Sequence, residues 1–304
     1  MIFTPDFMAT KDNMKIAILS GKGGTGKTLL SVNLAAVAAI KSGAAVYVDC
    51  DVEEPNGHLF FKPVDVQEDK VAVKIPVVDQ ELCTGCRNCV DFCNFNALAY
   101  INKQLIVSEL ICHSCGGCVI VCPELAFTEK DKVIGRVRVG TSLDVEVISG
   151  AMNTGIASGI PIIDRLLAEE AKTDADKDTF IDCPPGSACI VMESIKDADY
   201  CVLVAEPTLF GVHNLNMVYQ LVKIFDKPFG VVINKCTEED NPAERFCQDN
   251  DIMVLGRIPL DHELGLLNSK AQIVARESKK YQKLFADLLD VIMKEAKHET
   301  TVNS

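Results

Sequence analysis

Apolar residues in this chain recur in two alternating rhythms. Short, mostly β-branched runs occupy Lys15 to Leu19, Ala45 to Val48, Val145 to Ile148, Thr179 to Ile181, Tyr200 to Val204 and Phe229 to Ile233. Helical stretches separate them, among them the alanine-rich segment Leu29 to Lys41. Strands that are apolar throughout need cover on both sides. The alternation therefore predicts an α/β fold with a doubly wound, mostly parallel sheet. Near the C-terminus, Lys279 to Lys297 carries Leu284, Leu288, Leu289 and Ile292 on one face and several lysines opposite. Asp287, Asp290 and Glu295 interrupt the basic residues, so the stripe reads as a helix closing the core and not as a membrane-binding surface. Residues 1 to 13 read as a polar extension and 298 to 304 as a frayed tail.

With 304 residues, the chain can hold one large domain and a small insert. The large domain is expected over 14–70 and 134–297, interrupted by an insert at 71–133 that enters between Pro63 and Pro76 and leaves near Val133. An insert of that size buries too little to fold without a staple. The net charge of −13 repels duplex phosphate, which argues against a nucleic-acid partner. No apolar run approaches the roughly 18 to 20 residues of a membrane span. The N-terminus shows no cleavable secretory signal, so a reducing, cytoplasmic setting is expected.

The staple is legible in the cysteines. Cys83-x2-Cys86-x2-Cys89-x3-Cys93 recurs 29 residues later as Cys112-x2-Cys115-x2-Cys118-x3-Cys122, which places eight of the 14 cysteines within 40 residues. Thiolates are soft, charged ligands, and this spacing is that of bacterial two-cluster ferredoxins, in which the fourth cysteine of each run serves the other cluster. The expected ligand sets are Cys83, Cys86, Cys89 and Cys122 for one [4Fe–4S] cluster, and Cys112, Cys115, Cys118 and Cys93 for the second. Zinc sites are built from two well-separated C-x2-C pairs, and disulfides need an oxidising compartment, so both fit the pattern less well. The repeat extends to the flanks. Val77-Val78 matches Ile106-Val107, and Ala97-Leu98 matches Ala126-Phe127, which marks a duplicated unit. One departure is Asn94 after Cys93, where Pro123 follows Cys122.

Between the first strand and the first helix stands Gly21-Lys22-Gly23-Gly24-Thr25-Gly26-Lys27-Thr28. It fits G-x4-G-K-[ST]: glycines let backbone N–H groups wrap phosphates, Lys27 neutralises β- and γ-oxygens, and Thr28 ligates Mg²⁺. The helix N-terminus that follows adds a favourable dipole. The same letters satisfy G-x-G-x-x-G through Gly21, Gly23 and Gly26, with Asp49 placed as a ribose-binding acid would be. A dinucleotide turn has no use for the Lys27-Thr28 pair, so the triphosphate reading is preferred.

This loop resembles the deviant P-loop of the MinD/ParA and nitrogenase iron protein group, with Lys22 as its additional early lysine. The resemblance implies that Lys22 reaches the phosphates of the opposite subunit in an ATP-dependent homodimer. Val48-Asp49-Cys50-Asp51 is similar to the group's first switch, which implies that Asp51 positions or activates the attacking water. Phe180-Ile181-Asp182-Cys183-Pro184-Pro185-Gly186 is similar to the second switch, with Asp182 near Mg²⁺ and Gly186 near the γ-phosphate. Ile233-Asn234-Lys235 resembles the adenine-reading strand end, and Ile258-Pro259-Leu260-Asp261 the neighbouring base pocket. The whole resembles MinD-superfamily ATPases that contain an inserted ferredoxin domain.

Of the six cysteines outside the insert, Cys50, Cys183, Cys201, Cys236 and Cys247 read as small buried hydrophobes. Cys189 follows the second switch, near where the nitrogenase iron protein holds a subunit-bridging cluster, but the second cysteine of such a site has no match between residues 133 and 180. The expected function is an ATPase, slow without its partner, whose cycle is coupled to electron transfer through two clusters to a redox protein. Two alternatives remain open. One is a carrier or scaffold that hands clusters to a metallocofactor partner, disfavoured because no C-x-x-C follows residue 133. The other is a non-catalytic switch whose nucleotide and redox states set affinity for another protein.

Overall fold

The computed structural model describes residues 13–174, 176–237 and 240–302, so the expected N-terminal extension lies outside the described residues except for Asn13. The chain begins with β1 (Lys15–Leu19), α1 (Lys27–Ser42), β2 (Ala45–Asp49), α2 (Gly57–Phe61) and β3 (Val64–Val78). A cysteine-rich unit follows, made of α3 (Asn88–Phe92), β4 (Leu98–Ile101), β5 (Gln104–Val107) and α4 (Gly117–Ile120). β6 (Phe127–Ser142) returns from it, and β7 (Val145–Met152), α5 (Ile160–Glu170), β8 (Asp178–Asp182), α6 (Cys189–Ile195) and β9 (Tyr200–Ala205) come next. The remainder is α7 (Leu209–Ile224), β10 (Phe229–Cys236), α8 (Pro242–Asp249), β11 (Val254–Pro259), α9 (His262–Ser269), α10 (Val274–Glu277) and α11 (Lys279–Val302).

Seven strands lie parallel in the order β11, β10, β9, β1, β8, β2, β7, as the continuous apolar runs require. Every residue of β2 and β9 is buried. One face is covered by α1, α10 and α11, where Leu30, Leu34, Tyr47, Phe180, Tyr281 and Phe285 share a core. The other face is covered by α5 to α8, where Ile162, Leu166, Ile181, Val191, Leu203 and Val218 share a second core.

The expected insert boundaries need correction. β6 pairs antiparallel with β7, and β3 pairs antiparallel with β6, so positions 71 and 133 fall inside long strands of the main sheet. The chain does depart just after Pro63, but it leaves as a ribbon, and the compact unit is confined to residues 79–126. The ribbon escaped notice for a physical reason. The first seven residues of β3, Val64 to Lys70, are all exposed and rich in charge, so no apolar run marks them.

Within the unit, the duplication reaches the backbone dihedrals. Gly85 and Ser114, Arg87 and Gly116, and Asn96 and Leu125 are each separated by the 29-residue repeat, and all six have positive φ between 50° and 73°. Each run bends the same way at the same offsets, which sequence identity alone does not require. Cys89, Leu98, Leu105, Cys118 and Phe127 are the buried residues of its core. That core is as small as the length of the segment implied.

α11 runs to Val302, past residue 298 where a frayed tail was expected; Asn303 and Ser304 lie outside the described residues. Tyr281, Phe285, Leu288, Leu289 and Ile292 are all buried against α1 and the sheet. The apolar stripe is therefore spent on the core, and no helix among the described residues is long and apolar enough to cross a membrane. Phe285→Ala is expected to cost about 3–5 kcal/mol of stability in urea unfolding, the range for emptying a buried aromatic site. A loss below about 1 kcal/mol would refute the core assignment of this helix.

Candidate functional site

The loop Gly21–Thr28 emerges from β1 at the C-terminal edge of the parallel strands and turns directly into α1. Gly26 caps that helix with φ 101°, and a Cβ there would stand 2.1 Å from Asn234 Nδ2, so only glycine fits. The loop is held open from β10. Asn234 Nδ2 donates to the Thr25 carbonyl at 2.7 Å, and Lys235 Nζ donates to the Gly24 carbonyl at 2.9 Å. The first amides of α1 have no intrahelical partner. Lys27 is buried and Thr28 half-buried at the start of α1.

Three carboxylates gather beside this loop. Asp49 and Asp182 end the adjacent strands β2 and β8 in register, and Asp51 lies two residues farther on. Asp49 is fully buried and accepts from the amides of Gly57 at 2.8 Å and Asp51 at 3.2 Å. Its oxygens are thus committed to backbone, which removes it as a ribose ligand. Tyr47 donates to Asp182 Oδ2 at 3.0 Å, while Asp182 Oδ1 is buried without a hydrogen-bond partner among the described residues. Burial pushes the Asp182 carboxyl up, opposed first by the Lys27 ammonium. Asp49 is raised by burial and then by Asp182. Burial lifts Asp51 to about 6, against the pull of Lys27.

Thr25 Oγ1 and Asn268 Oδ1 are buried and unpartnered as well. Asn268 lines an open cavity of about 680 Å³ with Gly24, Gly26, Lys27, Thr28, Leu29, Asn56 and Phe60. A buried acceptor without a donor is costly, and clustered acids resist shared ionisation. A divalent cation with oxygen ligands satisfies both conditions, so the residues fit Mg²⁺ and a polyphosphate.

The other expected residues take more varied places. Gly186 adopts φ 97° and donates its amide to the Ser20 carbonyl at 2.9 Å, next to the exit of β1. Asn234 is buried between the loop and Lys235, whose amide donates to its Oδ1, and so serves the loop's shape. Pro259 ends β11 and is exposed; Asp261 caps α9. Lys22 is paired within its own chain with Glu206 at 2.8 Å. Glu206 was missed, although an acid directly after a parallel strand was the available signal.

A second set of residues fills the cysteine-rich unit. Cys83, Cys86, Cys89 and Cys122 line one cavity of about 350 Å³, and Cys93, Cys112, Cys115 and Cys118 line another of about 380 Å³. All eight thiols are free. The amides of Ala97 and Ala126, one repeat apart, each point at a sulfur, Cys93 Sγ and Cys122 Sγ, at 3.4 Å. Burial raises the Cys89 thiol and pushes Cys118 up to about 11, so a positive centre is what would hold these side chains as thiolates. The second quartet abuts the body. Cys112, His113 and Ser114 share a crevice with Ile156, Ala157 and Ser158 of the segment joining β7 to α5 and with Pro161 in the first turn of α5. A Cβ at Gly159 in that segment would touch Val52 at 2.7 Å and Ile190 at 3.0 Å, the neighbours of Asp51 and Cys189. Cys189 itself is exposed at the start of α6, whereas Cys50, Cys183, Cys201 and Cys247 are buried.

The family description "CobQ/CobB/MinD/ParA nucleotide binding domain" matches residues 16–274. The chain belongs to this family. An uncharacterized protein of Methanocaldococcus jannaschii is 30% identical over 228 residues, covering 73% of this chain and 78% of the relative. A second from the same organism is 29% identical over 226 residues, covering 73% and 80%. Among solved structures, the Pyrococcus furiosus cell division ATPase MinD superposes with a TM-score of 0.56 at 21% identity, covering 92% of this chain and 98% of that one. MinD of Pyrococcus horikoshii, solved with Mg-ADP, gives 0.56 at 20% identity, covering 91% and 94%. These likenesses establish the P-loop α/β fold with its mostly parallel sheet.

In this MinD/ParA-type domain, burial lifts the Asp51 carboxyl to about 6. Its folded value near 6 lies above that of an unfolded aspartate, so the folded chain binds more protons between about pH 4 and 6. Its contribution favours folding at the acid end and is lost as pH rises through about 6. Asp51→Asn is expected to flatten the pH dependence of unfolding free energy across that window. An unchanged slope would place Asp51 in ordinary solvent.

Proposed function

We propose that this chain is an ATPase that binds MgATP between two copies of itself and couples the nucleotide cycle to electron transfer through two [4Fe–4S] clusters. The observation that carries the reading is the exchange of fourth cysteines: Cys122 joins the first run around one cavity, and Cys93 joins the second run around the other. That partition is the ligand pattern of two-cluster ferredoxins, and it occurs in a chain that also carries a phosphate-binding loop.

At the nucleotide site, Lys27 and the α1 amides neutralise the phosphates, and Lys22 reaches the phosphates bound by the opposite copy. Thr28 and Asp182 are the residues that would hold Mg²⁺, which supplies charge neutralisation at the phosphates when bound. Asp51, half-buried and close enough to feel Lys27, orients the attacking water. In the cysteine-rich unit, each quartet supplies four thiolates, and the clusters they would hold provide one-electron transfer when bound. A complete set of four protein ligands favours retention over donation, which supports electron transfer above cluster delivery. The partner proposed is a redox protein in a reducing, cytoplasmic compartment. The acidic net charge of −13 speaks against nucleic acid.

Anaerobically prepared protein is expected to contain about eight iron atoms per chain, the number for two cubanes. Lys27→Ala should abolish ATP binding and leave both cluster signals unchanged; loss of the clusters would show that the two halves do not function separately. Substituting Cys93 or Cys118 should remove the same electron paramagnetic resonance signal, and substituting Cys83 or Cys122 the other. Pairing of Cys93 with Cys83 instead would overturn the ligand sets.

A further inference from the structure

Two lysines beside the phosphate loop converge on one carboxylate. Glu206, the residue after β9, holds Lys22 Nζ with Oε2 at 2.8 Å and Lys235 Nζ with Oε1 at 2.6 Å. Its side chain is only 14% exposed. Burial alone would raise its carboxyl, and the two lysines more than reverse that rise. Its main chain is fixed too: the Thr208 amide donates to the Glu206 carbonyl at 2.8 Å, and a Cβ on Gly211 would strike that oxygen at 2.2 Å.

The two lysines are not equivalent. Lys235 has a second anchor on the Gly24 carbonyl and sits at φ 61°, a backbone region that holds its position only when its surroundings fix it. Lys22 has no such tether; its ammonium lies 4.9 Å from the ring centroid of Phe210, a side chain that is itself exposed. If Lys22 leaves, Glu206 keeps Lys235 on its other oxygen. The carboxylate is therefore never stranded, and the penalty for breaking a mostly buried pair is largely avoided.

We propose that Glu206 is a positioning residue that parks Lys22 on its own chain, and that Lys235 is the built-in counter-ion that lets Lys22 go to bound polyphosphate. The proposal rests on the ATPase reading above. The clasp sets a threshold: the extra charge of a third phosphate competes for Lys22 better than a diphosphate does. Freed from Glu206, Lys22 would meet either nucleotide without that competition.

A double-mutant cycle on the intact chain tests this, using ATP and ADP affinities measured by titration calorimetry. Glu206→Gln is expected to tighten ATP binding by about 5-fold or more, in the range for coupled residues in contact, and the gain should vanish in a Lys22→Ala background. Lys235→Ala should act in the opposite direction and weaken ATP relative to ADP, because Lys22 then cannot leave without stranding Glu206. Equal changes for both nucleotides, or a Glu206→Gln effect that persists without Lys22, would reduce Glu206 to a structural support and overturn the clasp. Glu206→Asp keeps the charge and should resemble the unaltered chain; a Gln-like result there would also count against it. Failure of the unaltered protein to bind ATP at all would sink the ATPase reading and the clasp together.

Discussion

The placement of β1 between β8 and β9, hydrogen-bonded in parallel to both, governs everything at the nucleotide end of this molecule. Parallel neighbours emerge at the same edge, so the loop after β1 meets Asp182 from β8 and Glu206 from β9 without any long-range search. The next strands outward extend the same edge. β2 contributes Asp49 and leads to Asp51, and β10 contributes Asn234 and Lys235. Slipping β1 by one residue would move the phosphate loop by about 3.3 Å, too far for the Asn234 bond to Thr25 to survive.

The same edge explains why acids and lysines collect where they are costly. Backbone amides of the loop and of α1 present partial positive charge, and Lys27 adds a full one. Against that field, buried aspartates are tolerable neighbours, although burial still raises their proton affinities. The site is built to be completed by a ligand. Its unpartnered oxygens on Asp182, Thr25 and Asn268 express the same deficit in hydrogen bonds.

Much of this was legible in the sequence, and the gaps have physical causes. The buried parallel strands show as unbroken apolar runs, and the cysteine spacing marks the segment whose thiols line two cavities. β11 went unread because Gly256 and Arg257 interrupt its run, and the β3–β6 ribbon because water faces so much of it. Glu206 was passed over for a different reason. A single acid has no periodicity; only its distance to a lysine or an amide across the sheet gives it a role, and that distance is a property of the fold. Asn234 was read for the right location and a different task, since its amide is occupied in shaping the loop.

The crevice between Cys112–Ser114 and Ile156–Ser158 makes the two quartets unequal stations. One lies a single segment away from Val52 and Ile190; the other is walled by its own unit and by Phe127 at the start of β6. Symmetry inherited from duplication is thus broken by what each repeat packs against: the run that opens with Cys112 borders the approach to α5, and the run that opens with Cys83 does not share that border.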